Sequence, residues 1–261
     1  MLHLKSGDFS YHRAPRISPW PWDVVRGPPM LLMETSLHRQ LKAIYADGAA
    51  QQEARLERFR IDVVCGDELV EIQHGKLAAI RDKIAHLLES HRVLVVKPIV
   101  AQKHLVRLDA PNGRVVSRRL SPKRGTVLDV FHELVYFTRV FPHPNLTLEV
   151  PLVEIEETRF PGHGRRRWRH HNDHVVADQQ LLRIDRIHRF RTGRDLAELI
   201  PARLPAPFHT GHLAETLGVQ RWIAQRIAYC LRRMKIAAEV GKTGNTRLYE
   251  FAAEIRRRDA G

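Results

Sequence analysis

The sequence predicts an α/β fold with a helical module at its C-terminal end. Between residues 31 and 100 the apolar positions change from helical spacing to strand alternation and back again. This order of helix, strand hairpin, helix and buried strand is an α/β pattern. After residue 201, two stretches of helical spacing precede two strand-like stretches around a glycine-rich tip. That order predicts a helix-turn-helix followed by a two-stranded wing.

The composition limits the functions open to this chain. Its 261 residues allow two domains, and 43% of them are hydrophobic, which is enough for a packed core. A formal net charge of +14 favours a polyanionic partner such as nucleic acid. The two cysteines, Cys65 and Cys230, exclude a disulfide scaffold and a cysteine-only zinc site. The phosphate-binding and nucleophile motifs of kinases, dehydrogenases and α/β-hydrolases are absent.

Membrane and export signals are also missing from the sequence. No apolar run approaches the roughly 20 residues that a membrane-spanning helix needs. The N-terminus has no apolar stretch of signal-peptide length. We therefore expect a soluble cytoplasmic protein without a membrane partner.

The elements of the first half follow from the period of the apolar residues. Residues 1–30 are rich in proline and predict an irregular arm, because proline removes backbone donors and blocks helices. After this arm, the apolar periods predict helices over residues 35–45, 51–58 and 76–90 and strands over residues 59–65, 69–73 and 92–97.

The second half contains an Asn-Gly turn, Asn112-Gly113, which favours a hairpin. The predicted strands are 104–109, 114–120, 146–158 and 175–190, the last as one strand or a pair, and the predicted helices are near 128–137 and over 195–200. The chain then divides into an arm over 1–30, an α/β domain over 31–160, a basic loop with a β-rich extension over 161–200 and the helical module over 201–261.

Acidic and amide side chains lie close together on the predicted strand hairpin. Residues two apart in a strand face the same side, so Glu71 and Gln73 share a face, and Asp62 joins it if the register allows. Two adjacent carboxylates suit Mg²⁺, which prefers oxygen ligands and water. Such an ion activates water and stabilises charge on a scissile phosphate. The alternative is a half-solvated sheet whose Glu71 and Gln73 face water.

This arrangement over residues 31–100 resembles the PD-(D/E)XK superfamily of restriction-endonuclease-like nucleases. Glu34 matches the acid of the first helix. Asp62 and Glu71 match the two acids of the hairpin, and Gln73 stands at the lysine position. The resemblance implies a restriction-endonuclease-like mixed sheet flanked by helices. It also implies metal-dependent hydrolysis of phosphodiester bonds, in which Asp62 and Glu71 bind Mg²⁺ or Mn²⁺, Glu34 assists and Gln73 positions the attacking water.

Two features depart from the family's pattern. Gln73 carries no positive charge at the lysine position, and Ile61 rather than proline precedes Asp62. Lys76 and Lys83, on the following helix, are candidates to supply the missing charge.

The C-terminal module resembles bacterial winged helix-turn-helix domains, whose second helix enters the major groove while the wing contacts the DNA backbone. Arginine and glutamine read base edges, whereas lysine mostly contacts phosphate. The candidate DNA contacts are Gln220, Arg221, Gln225 and Arg226 on the second helix and Lys242, Asn245 and Arg247 on the wing. Winged helices also dock on proteins. The alternative to a DNA contact is therefore that Arg221 is only a solvated surface charge.

A basic segment in the extension is a further candidate for nucleic-acid binding. It consists of Arg165, Arg166, Arg167 and Trp168. Its arginines would hold phosphates and its indole would stack on a base. The alternative is a solvated loop.

These features predict a metal-dependent nuclease that hydrolyses DNA, with the winged helix delivering the substrate. The alternative is a non-catalytic DNA-binding or regulatory protein with a degenerate nuclease fold, which Gln73 favours. A third hypothesis is a scaffold whose winged helix binds protein. RNA stays open as a substrate, and a homodimer is compatible with the sequence.

Overall fold

The structure is a computed structural model that describes residues 34–46, 50–162, 173–201 and 203–253. The predicted arm over 1–30 and the basic segment 165–168 lie outside the described residues. The described part is an α/β fold in which helices flank a mixed eight-stranded sheet. A second sheet of two strands lies near the C-terminal end.

Short helices and strands alternate along the described chain. The helices are α1 (Ser36–Tyr45), α2 (Arg81–Leu87), α3 (Val130–Leu134), α4 (Gly193–Ala197), α5 (Thr210–Leu217) and α6 (Arg221–Arg233). The strands are β1 (Gln51–Leu56), β2 (Phe59–Cys65), β3 (Glu68–Ile72), β4 (Arg92–Val96), β5 (Ile99–Leu108), β6 (Val115–Leu120), β7 (Leu146–Pro161), β8 (His174–Phe190), β9 (Ala237–Thr243) and β10 (Thr246–Phe251). None of the helices in the described ranges is long and apolar enough to span a bilayer.

The large sheet is organised around β7. Its strand order is β1-β2-β3-β4-β7-β5-β6, and β8 also pairs with β7. β4 and β5 lie end to end along one edge of β7, because Val96 pairs with Glu149 and Ile99 with Leu152 at the same offset. Pro98 separates them, since it has no N–H to donate to the sheet. The β3–β4, β4–β7 and β5–β7 pairs are parallel, whereas the other pairs are antiparallel.

Helices cover both faces of the central part of the sheet. α1 buries Leu37 and Leu41 against one face, in the same cluster as Val96. The other face carries a larger cluster that joins Phe131 of α3 and Ile227 of α6 to the sheet strands. The C-terminal module therefore shares its core with the sheet.

One predicted helix is wrong. Residues 51–58 do not form a helix, because β1 occupies them and pairs antiparallel with β2, from Gln51 opposite Val64 to Leu56 opposite Phe59. Their Gln, Glu, Ala and Arg residues favour helices. Only Ala54 of this edge strand is buried, so the polar composition is tolerated there and strand pairing outweighs helix propensity.

Several further elements differ from the prediction in extent. The strand predicted over 104–109 is β5, which begins at Ile99, and the helices predicted near 128–137 and over 195–200 are the shorter α3 and α4. The helix predicted over 76–90 is a 3₁₀ turn, Leu77–Ala79, followed by α2, with a break at Ile80 (φ −106°, ψ 1°). The predicted strand or strand pair over 175–190 is the single strand β8, which pairs with β7 over its whole length. The boundary predicted near residue 160 therefore falls inside one continuous sheet.

The C-terminal module contains two helices and an antiparallel strand pair in the predicted order. His209 caps α5, because its Nδ1 accepts hydrogen bonds from the N–H groups of Gly211 and His212. Gly218 ends α5 at φ +63°, in the left-handed region that favours glycine. The turn to α6 follows directly.

Candidate functional site

Asp62 lies where the β2–β3 ladder ends. The last backbone pair is Val63 opposite Val70. Beyond it, the Ile72 N–H donates to Asp62 Oδ2 at 2.8 Å, so the carboxylate replaces a backbone acceptor. Continued by one residue, the same register sets Asp62 opposite Glu71. The two predicted metal ligands are therefore neighbours across the strand pair.

Glu71 is buried on β3 and is paired with a lysine of α2. Only 7% of Glu71 is exposed. Lys83 Nζ donates to Glu71 Oε2 at 2.6 Å and also to the backbone oxygen of Arg60 on β2. Of the two lysines suggested for the missing charge, Lys83 reaches the acids, whereas Lys76 is exposed after β3.

The third acid, Glu34, lies two residues before α1 and not on the helix as predicted. His38 and Lys42 are four residues apart and lie on one side of α1, toward Glu34. His38 Nε2 is 3.2 Å from Glu34 Oε1 and 3.3 Å from Asp62 Oδ1. Lys42 Nζ is 2.6 Å from Glu34 Oε1 and 2.7 Å from Glu53 Oε1. His38 thus connects Glu34 to Asp62, and Lys42 anchors Glu34.

Glu34, Asp62 and Glu71 form the carboxylate cluster, in which burial and hydrogen bonding act against each other. Burial alone would raise the pKa of Asp62, but hydrogen bonds from His38 and from the β3 backbone hold this pKa below its ordinary value. Burial and the charge of Asp62 raise the pKa of Glu71, although its paired lysine opposes them. Asp62 therefore ionises more readily, and Glu71 has the greater need of a compensating cation.

Gln73 is hydrogen-bonded within the loop that follows β3. Its N–H donates to the backbone oxygen of Val96 at 2.8 Å, which continues the β3–β4 pairing. Its side-chain amide donates to the backbone oxygen of Lys76 at 3.0 Å. The predicted role of Gln73 in positioning water finds no support in this geometry, because its amide is engaged in the loop after β3.

A buried lysine that is not among the predicted site residues holds the same loop. Lys97 is 6% exposed. Its Nζ donates to the backbone oxygens of His74 at 2.9 Å and Gly75 at 2.5 Å. Burial lowers the pKa of Lys97, and the charge of Glu133 opposes this. The available signal was a lysine directly after the apolar run of β4.

A groove between α6 and the β9–β10 pair brings several predicted nucleic-acid contacts together. This helix–hairpin groove has a volume of about 320 Å³. Four of the predicted contacts line it, namely Arg221, Gln225, Asn245 and Arg247. Arg232, which is not among the predicted contacts, lines it as well.

Three other predicted contacts lie outside this groove. Arg226 turns toward α3, where its Nη1 is 2.8 Å from His132 Nδ1 and its guanidinium lies over the Trp222 ring. Gln220 accepts a hydrogen bond from the Trp222 indole. Lys242 is exposed on β9. The geometry gives Arg226 a role in packing α6 on α3 instead of a free position for DNA.

The carboxylate cluster offers oxygen donors of the kind that Mg²⁺ and Mn²⁺ prefer. Within the described ranges, no group of three or more His, Cys, Asp or Glu side chains has the geometry of a metal site. Mg²⁺ is commonly held by one or two carboxylates while it keeps several waters. Asp62 and Glu71 match that smaller ligand set.

The segment that carries most of the cluster matches a known protein family. The profile of a family described as "Domain of unknown function (DUF8091)" matches residues 35–191, which is more than half of the chain. The chain belongs to this family. The DUF8091 segment runs from the start of α1 to the residue after β8 and so contains the whole large sheet. The helix–hairpin groove follows it in the chain.

The similarity to a second protein is longer than the DUF8091 segment. An uncharacterized protein of Treponema pallidum (strain Nichols) is 31% identical over 219 residues, which cover 83% of this chain and 84% of that protein. No solved structure matches the chain.

Replacing Glu71 by glutamine should stabilise the fold at neutral pH. Because the folded-state pKa of Glu71 is raised, its stabilising contribution is present below the unfolded pKa of about 4.3 and is lost as the pH rises through the folded pKa. Glu71→Gln removes this loss. Its free energy of unfolding should exceed that of the wild type at neutral pH and match it below about pH 4. Urea denaturation followed by circular dichroism measures the difference.

Glu68→Gln, at the other end of β3, is the matched control for the loss of one carboxylate from this strand. A Glu71→Gln variant that is less stable than the wild type at neutral pH would contradict this expectation. That result would mean that the ion pair with Lys83 outweighs burial and repulsion.

Proposed function

We propose that this protein is a metal-dependent nuclease that hydrolyses DNA phosphodiester bonds at the carboxylate cluster. The observation that carries the proposal is the hydrogen bond from the Ile72 N–H to Asp62 Oδ2, which holds Asp62 beside the strand that carries Glu71, with Lys83 Nζ 2.6 Å from Glu71 Oε2. Two acids that can bind a divalent cation, with a neighbouring ammonium group, are suited to hydrolysis of a phosphodiester.

The order of elements around the cluster supports a restriction-endonuclease-like fold. α1, the β2–β3 hairpin, α2 and β4 occur in the order that the PD-(D/E)XK resemblance implies, with β1 inserted between α1 and the hairpin. Lys83 is on α2, one element after the lysine position that Gln73 occupies. A long side chain from the neighbouring helix thus offers the positive charge that Gln73 lacks.

Asp62 and Glu71 would hold the Mg²⁺ or Mn²⁺ ion, which when bound supplies a polarised water and neutralises charge on the scissile phosphate. Two adjacent carboxylates fit such an ion, because a cation offsets the burial of Glu71 and its repulsion by Asp62, which together raise the pKa of Glu71. His38 and the Ile72 N–H keep Asp62 ionised. Lys83 orients Glu71 and offers its ammonium group to a phosphate oxygen.

The C-terminal module delivers the duplex in this proposal. Its order of α5, turn, α6, β9 and β10 is that of a winged helix, in which α6 is the recognition helix. Arg221 and Gln225 of α6 and Arg247 of β10 offer guanidinium and amide groups to phosphates and base edges. The net charge of +14 favours association with a polyanion.

A second candidate function is that of a non-catalytic DNA-binding or regulatory protein with a degenerate nuclease fold. The observation that favours it is that every acid of the cluster has a basic partner. The pairs are Glu34 with Lys42, Asp62 with His38 and Glu71 with Lys83. Such pairing compensates the charge of the acids without a metal ion. Only the nuclease hydrolyses DNA, so an assay of DNA cleavage separates the two candidate functions.

In the presence of Mg²⁺ or Mn²⁺, the wild type should cleave plasmid, linear or branched DNA. Asp62→Asn should lower the rate by more than about 100-fold, because a ligand of the ion is weakened directly. Lys83→Met removes a partner of the other ligand and should lower the rate by about 10–100-fold. Gel electrophoresis of end-labelled DNA measures these rates, with EDTA as the metal-free reference.

Lys76→Met is the matched control for Lys83→Met, because Lys76 is exposed and lies in the same segment. This variant should cleave like the wild type. Equal rates for the wild type and Asp62→Asn would remove the carboxylate cluster from the reaction. Salt-dependent DNA binding by all variants without any cleavage would establish the second candidate instead.

Arg221→Ser and Arg247→Ser should each weaken duplex binding by the helix–hairpin groove. Each lost phosphate contact lowers the slope of log Kobs against log salt by about 0.9 for duplex DNA. Fluorescence anisotropy titrations at several salt concentrations measure this slope. Arg226→Ser, on the same helix but packed against His132, is the control and should keep the wild-type slope. Equal losses in all three variants would exclude the groove as the contact surface.

A further inference from the structure

The outer half of the large sheet carries a basic groove that is separate from the carboxylate cluster. Residues of β5, β6 and β7 and of the segment that begins β8 enclose a volume of about 340 Å³. The polar and charged residues that matter here are Arg107, Ser117, Arg119, Arg159 and Asp173. We call the groove that these residues line the arm groove, after the outer arm of the sheet that β5 and β6 form with the end of β7.

The strand register sets three of these residues in one row. Arg107 of β5 pairs with Ser117 of β6 on one side and with Arg159 of β7 on the other. Paired residues on neighbouring strands project from the same face, and neighbouring strands lie about 4.8 Å apart. Arg119 lies two residues further along β6, opposite Leu105. The fold therefore places three guanidinium groups and a hydroxyl along one short stretch of the sheet.

The arginines of the arm groove differ in how their charge is compensated. Arg159 pairs with the buried carboxylate of Glu157, which Lys103 also contacts, so one negative charge serves two cations. Arg107 and Arg119 are exposed and have no carboxylate partner in an ion pair among the described residues. Asp173 is the carboxylate in the lining. The groove therefore keeps a surplus of positive charge.

We propose that the arm groove binds the phosphate backbone of nucleic acid, independently of the carboxylate cluster. Guanidinium groups bind phosphate through two parallel hydrogen bonds, and a serine hydroxyl adds a further donor. Arg107 and Arg119 are available for such contacts, with Ser117 between them on the same face. Contacts of this kind hold the strand without reading its sequence. The proposal goes beyond the proposed function, since it needs neither a metal ion nor cleavage.

Nucleic acid suits this groove better than an anionic membrane surface. A basic groove follows the backbone of a strand. Binding to a lipid surface by insertion requires exposed apolar side chains. Phe160, in the lining of the arm groove, is only 8% exposed. The lining thus offers charge and hydrogen-bond donors without an exposed aromatic group, and the exposed apolar side chain on this side of β6, Val115, is not part of the lining.

Anisotropy titrations of the full chain in EDTA test this proposal, with a fluorescein-labelled single-stranded oligonucleotide and its duplex at several salt concentrations. The Arg107→Ser/Arg119→Ser double variant should lower the slope of log Kobs against log salt by about 0.7 per lost contact on the single strand and about 0.9 on the duplex. The loss should be equal for two unrelated sequences. Arg119→Glu should weaken binding further than Arg119→Ser, because it adds repulsion.

Arg118→Ser is the matched control. Arg118 is the neighbour of Arg119 on β6 and is also exposed, but it projects from the other face, where its Nη1 is 2.9 Å from Glu156 Oε2. This variant should keep the wild-type slope. Circular dichroism melting confirms that each exposed-site variant is folded.

Three results would overturn the proposal. The first is an equal slope for the double variant and Arg118→Ser. The second is a wild type that binds neither oligonucleotide. The third is a double variant that loses binding to phosphatidylserine-containing vesicles while its binding to DNA is unchanged. Because EDTA removes the metal, a failure of the nuclease proposal leaves this outcome unaffected.

Discussion

A buried carboxylate next to a half-buried one constrains the rest of this structure. Glu71 is buried and Asp62 is half-buried just beyond the last β2–β3 pair, where water screens their repulsion only in part. α1 supplies His38 to Asp62, and α2 supplies Lys83 to Glu71. These helices cover opposite faces of the sheet, so the compensation of two charges also fixes where both helices meet the β2–β3 hairpin.

The run of β4 and β5 along one edge of β7 separates the carboxylate cluster from the arm groove. β3, which carries Glu71, pairs with β4, whereas β6, which carries Arg119, pairs with β5. Lys97, just before the break at Pro98, holds the loop that follows β3. The cluster and the arm groove therefore share a sheet but no residues, which lets substitutions probe each surface separately.

The sequence predicts the parts of the site that depend on strand periodicity. Alternation over 59–65 and 69–73 predicted the hairpin, and the short turn between its strands made a pairing of Asp62 with Glu71 accessible. Sequence alone does not show how far a helix packs from a strand. It therefore offered both Lys76 and Lys83, and only the packing of α2 beside the hairpin selects Lys83.

Other features depend on partners that are distant in the chain. Residues 51–58 have a composition that favours a helix. Residues 51–56 form a strand because they pair with the otherwise free edge of β2. Arg226 lies on α6 beside exposed residues, and its packing role depends on His132, which is 94 residues away. Glu34, His38 and Lys42 show helical spacing in the sequence. Their relation to Asp62 emerges once α1 is packed on the sheet.

The most direct test is the anomalous difference map of crystals grown with Mn²⁺ and without DNA. We expect one peak about 2.1 Å from carboxylate oxygens of both Asp62 and Glu71, with waters completing the coordination. A map without a peak at this position, in which Lys83 still holds Glu71 alone, would contradict the metal-dependent nuclease and leave the carboxylate cluster a set of compensated ion pairs.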